Sequence, residues 1–346
     1  MDTIRKPGTN GSTARSVPRP LGWAAERSRR RRLAKAALGG AGGLLSISIA
    51  VALYVVDALT RASRLNAFDN YTFTPFELEV PSEDVAIPVK GNSPLSGWWL
   101  PRPKSNHVIV VCYGYRNRKW EMLGIGAALW RHGYNVLLFD YHGHGAHAGT
   151  RVTLGYRERD DALAAIDFAH KRVPGARLGV IGFSMGGAVA IMAAARDARI
   201  LSIVADSSFA EQRNPVRKRV HRSLHLSRAG SPLLFLADQF LFRLLGYHFR
   251  DVEPVRDIKS LGGRPILLIH GTADSMVDYH DSEALYEAAP GPKEIWLVPD
   301  VDHCGAYFLD RPAYIRRIYS FFEKTLGESE SVIDLTISIH QSVTPA

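Results

Sequence analysis

Within residues 177–187 an apolar strand runs into Gly182-Phe183-Ser184-Met185-Gly186 and passes without a linker into a helix-forming stretch that continues to Ala195. A chain that must end a strand, turn and begin a helix within five residues has few folds open to it, and all of them set a helix directly onto the end of a sheet strand. Glycine at 182 and 186 lets the backbone take strained dihedrals and lets neighbouring elements come close. Such a turn pushes the Ser184 hydroxyl out above the sheet. A helix starting at Met185 aims unpaired N–H groups and the positive end of its dipole at the same spot, where negative charge develops on an attacked carbonyl oxygen. By itself the pentapeptide also reads as a plain Gly-rich turn.

A serine hydroxyl becomes nucleophilic when a base takes its proton, and a histidine base needs a carboxylate to fix its tautomer. Residues 264–274 read as a buried strand, a glycine turn and an acid, which puts Asp274 at the carboxyl end of a strand. A further strand over 293–298 leads into Pro299-Asp300-Val301-Asp302-His303-Cys304-Gly305. Most of the 13 histidines fall in expected helices, at strand ends or in an insertion, and His340 lies in a tail, so His303, on a loop after the last core strand, is the candidate base. Asp206, just past the strand over 200–205, is a rival for the acid. Asp300 and Asp302 read as loop-capping groups.

A tetrahedral oxyanion usually takes two donors. The Met185 N–H is one. The strand over 107–112 ends in Tyr113-Gly114-Tyr115-Arg116-Asn117-Arg118, where Gly114 supplies the bend and the Tyr115 N–H the second donor. An ordinary strand-to-helix loop is the competing reading of that segment.

Further markers are Gly133-Tyr134-Asn135-Val136-Leu137-Leu138-Phe139-Asp140-Tyr141, Gly143-His144-Gly145, Asp206-Ser207-Ser208-Phe209 and His270-Gly271-Thr272-Ala273-Asp274. With the order Ser184, Asp274, His303 they make the chain, over roughly residues 75–325, resemble the α/β-hydrolase superfamily of serine hydrolases, especially its bacterial membrane-associated members. The resemblance implies a mostly parallel eight-stranded sheet flanked by helices and a helical lid before the acid-bearing strand. It also implies hydrolysis of an ester, thioester or amide through an acyl-enzyme, with Ser184 as nucleophile, His303 as general base and Asp274 as orienting acid. Two positions depart from the family pattern: Tyr113 stands where histidine usually precedes the oxyanion-loop glycine, and His142 replaces an arginine. His142, His144 and His147 lack accompanying cysteines or acids at ligand spacing, so no metal is expected, and no cofactor.

The net charge of +9 belongs to one end of the chain. Residues 1–64 hold 12 Lys+Arg against 3 Asp+Glu, and the remaining residues hold 31 of each. Nucleic acid is therefore not an expected partner. Residues 36–56 carry no charge, and a helix of that length spans about 31 Å, close to the hydrocarbon thickness of a bilayer. Arg29 to Arg32 and Lys35 precede it, while Arg61 and Arg64 follow, so the positive-inside rule keeps the first 35 residues cytoplasmic and the hydrolase domain outside. A cleaved signal peptide is the rival reading.

The expected layout is a disordered basic tail over 1–35, a transmembrane helix over 36–58, an α/β-hydrolase domain over 70–326 with its lid at about 209–256, and a C-terminal tail over 327–346 without a functional account. The lid sequence sets Arg213, Arg217, Lys218, Arg219 and Arg222 beside an apolar run, which suits a cover near a membrane surface or over an acyl chain, or a plain helical insertion. Cys112 and Cys304 are expected as free buried thiols, a disulfide between them being the alternative. The sequence-level hypothesis is a single-pass, cell-membrane serine hydrolase acting on a small acyl substrate such as a carboxylic ester, with the lipid bilayer as its other partner. Its alternatives are a peptidase or amidase of the same fold and an inactive membrane-tethered binding protein.

Overall fold

The computed structural model describes residues 23–61, 73–147, 149–224 and 230–327. Eight strands form one sheet: β1 (Glu83–Ile87), β2 (Leu95–Leu100), β3 (His107–Cys112), β4 (Asn135–Phe139), β5 (Arg177–Phe183), β6 (Ile200–Asp206), β7 (Ile266–Gly271) and β8 (Lys293–Val298). Their spatial order is β1-β2-β4-β3-β5-β6-β7-β8. The β1–β2 and β2–β4 pairs are antiparallel, and every pairing from β4 to β8 is parallel.

Strands β3 and β5 are adjacent, yet the chain leaves β3 towards β4 on one side and returns to β5 on the other. Loops diverge at such a switch point and leave a crevice outside the carboxyl ends of the strands. The Tyr113–Gly114–Tyr115 loop and the Ser184 turn both open there.

Alternation along the central strands divides the core between the two faces of the sheet. Val108, Val110 and Cys112 of β3 pack on one side, with Leu178 and Val180 of β5. Ile109 and Val111 pack on the other, with Ile181 and Phe183. The first face is covered by α3 (Glu158–Arg172), α4 (Met185–Ala194) and α8 (His280–Ala288), the second by α2 (Leu123–Arg131) and α10 (Arg311–Leu326). Every residue of α4 is buried, which follows from its lack of any charged or long polar side chain.

Between β6 and β7 lie α5 (Arg213–Leu224), α6 (Gly230–Leu245) and the short α7 (Pro254–Asp257), within the span expected for the lid. At the other end α1 runs from Trp23 to Thr60. Residues 23–35, expected as part of a disordered tail, are therefore helical. Alanine, arginine, leucine and lysine dominate there, all strong helix formers, and Glu26 pairs with Arg30 one turn on. The last turns of α1 are also not free: Ala52, Val55, Val56, Leu59 and Thr60 are buried. The Thr60 carbonyl accepts from Val152 N at 2.9 Å, and its hydroxyl from Arg151 at 2.8 Å. The expected tails over 1–22 and 328–346 lie outside the described residues.

Candidate active site

Ser184 sits at φ 53°, ψ −119°, a backbone conformation rarely adopted by a side-chain-bearing residue. Two contacts explain why the flanking residues are glycine. A Cβ on Gly182 would stand 2.1 Å from the Gly186 carbonyl oxygen, and one on Gly186 would stand 2.2 Å from the Cys112 carbonyl oxygen. The elbow is thus closed on itself and pressed against the end of β3. Ser184 N donates to the Asp206 carbonyl at 2.7 Å, which ties the turn to the neighbouring strand as well.

The hydroxyl of Ser184 lies 2.8 Å from His303 Nε2, and His303 Nδ1 lies 2.7 Å from Asp274 Oδ2. Three residues separated by up to 119 positions thereby form one hydrogen-bonded line. Asp274 side-chain atoms are fully buried, and those of His303 are 14% exposed. With Nδ1–H donating to the carboxylate, Nε2 is left as the acceptor facing the serine. Asp274 Oδ1 takes the Met276 and Val277 amides, each at 2.8 Å. Burial raises the Asp274 pKa, but hydrogen bonds from His270 and His303 outweigh it and hold the carboxyl below its usual range.

The loop carrying the imidazole is fixed by Asp302, whose Oδ1 accepts from both Ser275 N and His303 N at 2.7 Å. Asp206, the rival acid, is bonded elsewhere: Tyr314 donates to its Oδ2 at 2.7 Å and Ser207 to its Oδ1 at 2.9 Å. Burial raises its pKa.

The two amides considered as oxyanion donors flank the serine. Met185 opens α4, and Gly114 lies so close that a Cβ there would stand 3.3 Å from Ser184 Cβ. Neither the Tyr115 nor the Met185 N–H donates to an acceptor among the described residues. Tyr113, which departs from the family pattern, is buried and ties the ends of two strands together. Its hydroxyl accepts from Tyr141 N at 2.9 Å and donates to Asp140 Oδ1 at 3.4 Å, and Asp140 in turn pairs with Lys119 Nζ at 3.0 Å. His142 pairs with Asp161 at 2.8 Å, and His147 Nε2 accepts from Ser96 N at 3.0 Å. Cys112 and Cys304 are free thiols, and burial pushes Cys112 up to about 12.

Sequence reasoning gave no role to His270. Its Nε2 lies 3.1 Å from the same Asp274 Oδ2 that holds His303, and its Nδ1 lies 2.6 Å from the Ser282 hydroxyl of α8. A histidine four residues before the acid, at the end of an all-apolar strand, was the available signal: a fully buried imidazole needs partners, and the nearest acid supplies one.

Two cavities meet at Ser184. The smaller, about 280 Å³, is lined by Leu59, Leu154, Met185, Phe209 and Val277 and by residues of α5. The larger, about 670 Å³, is lined by Trp120, Ile125, Tyr307 and Phe308 and includes His303 and Arg311. Within one line of atoms the site therefore offers a serine oxygen beside an imidazole nitrogen, two unpaired amides and room on both sides for a substrate.

Comparison with known proteins gives a consistent result. The serine aminopeptidase S33 hydrolase family matches residues 103–236. An uncharacterised protein of Mycobacterium tuberculosis is 30% identical over 246 residues, covering 70% of this chain and 79% of that protein. YqkD of Bacillus subtilis, also uncharacterised, is 26% identical over 75% of this chain and 84% of its own length. Among solved structures, the Pyrococcus furiosus esterase Pf2001 superimposes with a TM-score of 0.63 at 25% identity, covering 78% of this chain and 98% of the esterase.

Proposed function

Because the chain belongs to the α/β-hydrolase superfamily of serine hydrolases, we propose that it cleaves a carboxylic ester or related acyl compound through an acyl-enzyme, without a cofactor. The observation that carries this reading is the line from Ser184 Oγ through His303 to Asp274, at 2.8 Å and 2.7 Å. Ser184 Oγ attacks the carbonyl carbon while His303 Nε2 takes its proton, and the oxyanion is held by the Tyr115 and Met185 amides. Collapse of the tetrahedral species breaks the bond to the leaving oxygen, which receives that proton from His303. Water then adds to the acyl carbon, giving its proton to Nε2, and the second collapse returns the proton to Ser184 as the acid departs. Asp274 keeps the imidazole in the tautomer this cycle needs and stabilises the cation formed at each step.

His303 has to reach the leaving oxygen, so the leaving group belongs in the cavity that His303 lines, the larger one. The acyl portion then occupies the smaller cavity beside Met185. Support for an ester comes from the likeness to the Pyrococcus esterase, whereas the aminopeptidase description of the matching family favours an amide as the second reading. Turnover of 4-nitrophenyl esters against aminoacyl 4-nitroanilides separates the two. A fluorophosphonate probe tests the nucleophile: labelling that disappears in Ser184→Ala is expected, and folded wild-type protein that takes no label overturns the reading.

In this reading α1 is a single-pass anchor in the cell membrane with the hydrolase domain outside. The helix is long and apolar enough to cross. Residues 36–50, which precede the packed turns, cover about 22 Å, so the anchor relies on Arg32 and Lys35 reaching up to the interface. Protease protection of the hydrolase domain in sealed right-side-out cells counts against this orientation.

A further inference from the structure

The smaller cavity at Ser184 has one wall that does not match the others. Leu59, Leu154, Met185, Phe209 and Val277 make it apolar, and among the described residues no carboxylate lines it. Its remaining wall is α5, which, beside Val216, turns Pro215, Lys218, Arg219 and Arg222 towards it. Those positions are spaced i, i+3, i+4 and i+7, one face of a helix, so the three cations are grouped by the helical repeat. Val216 and Val220, on the adjoining face, are the residues that α5 buries in the core. The cationic face is therefore presented beside the nucleophile, next to the valines that anchor the helix.

Among the described residues no acid neutralises that face through a salt bridge, although the charge of Lys218 helps to lower the pKa of Asp278. Lys218 Nζ donates to the Asp274 carbonyl at 3.1 Å and Arg222 to the Ser275 carbonyl, both uncharged acceptors. Arg219 has no hydrogen-bond or ion-pair partner among the described residues, and its charge reaches Tyr115. The larger cavity differs: it carries Glu121 as well as Arg311, together with a wall of aromatic side chains.

We propose that the α5 face recognises an anionic group on the acyl portion of the substrate, so that the preferred substrates are esters of short acyl chains ending in a carboxylate or phosphate. This rests on the hydrolase reading and on the assignment of the two cavities made above. The apolar wall takes the methylenes, and Arg219 and Arg222 meet the terminal oxyanion in a charge-assisted contact at the rim. A purely hydrocarbon chain brings no counter-charge to the same cations, which gives the anionic substrate its advantage.

The test uses the full chain in a neutral detergent and three chromogenic esters with the same scissile bond. They are 4-nitrophenyl hexanoate, the 4-nitrophenyl monoester of adipic acid, which ends in a carboxylate, and 3-carboxy-4-nitrophenyl hexanoate, whose charge lies on the leaving group. The adipate monoester is expected to exceed the hexanoate in kcat/KM by about tenfold. That ratio should shrink as salt rises. Arg219→Glu should invert it, and Arg219→Lys should keep most of it. Hexyl phosphate competing better than hexyl alcohol extends the preference to phosphate.

Equal rates on hexanoate and adipate, or a ratio that Arg219→Glu leaves untouched, overturns the proposal while the hydrolase reading stands. A preference for the 3-carboxy ester alone overturns it too, placing the anion on the leaving group. Equal rates on the soluble esters with turnover that rises on vesicles containing phosphatidylglycerol would assign α5 to the bilayer surface instead. If no ester is turned over and the fluorophosphonate leaves Ser184 unlabelled, the underlying reading fails and takes this one with it.

Discussion

The floor and the roof of the Ser184 site are held by different forces. The floor consists of loops at the carboxyl ends of β3, β5, β7 and β8, and its polar atoms bond to one another: Asp274 alone accepts from His303, His270, Met276 and Val277. The roof consists of α5 and the last turns of α1, joined to the rest through apolar packing, separate hydrogen bonds and the Arg151–Asp57 ion pair at 3.1 Å. Tyr115 donates to the Leu59 carbonyl at 2.7 Å, and Arg116 to that of Ala58 at 2.9 Å. Asn214 of α5 reaches Asp281 at 2.8 Å. A floor built from interlocked buried hydrogen bonds holds the Ser184, His303 and Asp274 atoms in fixed register, as the proposed chemistry requires. A roof built from packing and single bonds tolerates change, so selection among substrates can be set there with the chemistry intact.

Removing the floor's central atom should produce the largest effect. Ser184→Ala is expected to lower turnover by roughly 10³ to 10⁶ with the fold retained, measured by ester hydrolysis beside circular dichroism. Asp274→Asn should cost roughly 10² to 10⁴ in kcat, since an amide no longer fixes the imidazole tautomer. The same substitution has a stability signature. The Asp274 pKa is below its unfolded value of 3.8 in the folded chain, so its contribution is present above that pH and is lost as pH falls through the folded value. Urea unfolding at pH 3 against pH 6 should therefore show a smaller acid-side loss in Asp274→Asn than in the wild type. If the losses are equal, the bonds to Asp274 do not carry that weight.

The roof is probed by two truncations. Deleting residues 1–50 keeps Leu59 and the carbonyls that hold Tyr115 and Arg116, whereas deleting 1–61 removes them. The longer deletion should lose roughly a further tenfold in kcat/KM on a short-chain ester. Identical kinetics for both would mean that α1 contributes no wall. Beneath the oxyanion loop, Tyr113→Phe strips Asp140 and Tyr141 N of a buried partner and should destabilise by about 1–3 kcal/mol, read from urea midpoints at unchanged slope.

The smallest effect lies where roof and floor meet. Burial pushes Asp281 up to about 6, above its unfolded 3.8, so the folded chain binds the extra proton between those values and loses stability as pH rises through them. Asp281→Asn should accordingly melt higher than the wild type at pH 7, the difference vanishing below pH 4. A difference that grows towards low pH would show that Asp281 is held as a carboxylate and that the joint works the other way.

Much of the floor was legible because its signals are local. Gly182 and Gly186 mark a turn whose backbone leaves no space for a Cβ, and strands that end in an acid or a histidine announce where those groups stand. The choice between Asp274 and Asp206 was not local. Both follow buried strands, and they are told apart by their partners: His303 bonds to Asp274, while Tyr314, 108 residues away on α10, and Ser207 occupy the oxygens of Asp206. His270 was hidden for the same reason, since its partnership with Ser282 depends on how α8 docks.

The sequence by itself determined the strand-to-helix elbow, the parallel strand pattern, the apolar N-terminal stretch and the residue types able to move a proton, because each is written in nearest-neighbour sterics and hydrophobic periodicity. Tertiary structure alone decided which imidazole shares which carboxylate, that the end of α1 walls the site, and that the cationic face of α5 looks into a cavity. Those are distances between segments remote along the chain, fixed by the packing of whole elements around the sheet, and no local pattern encodes them.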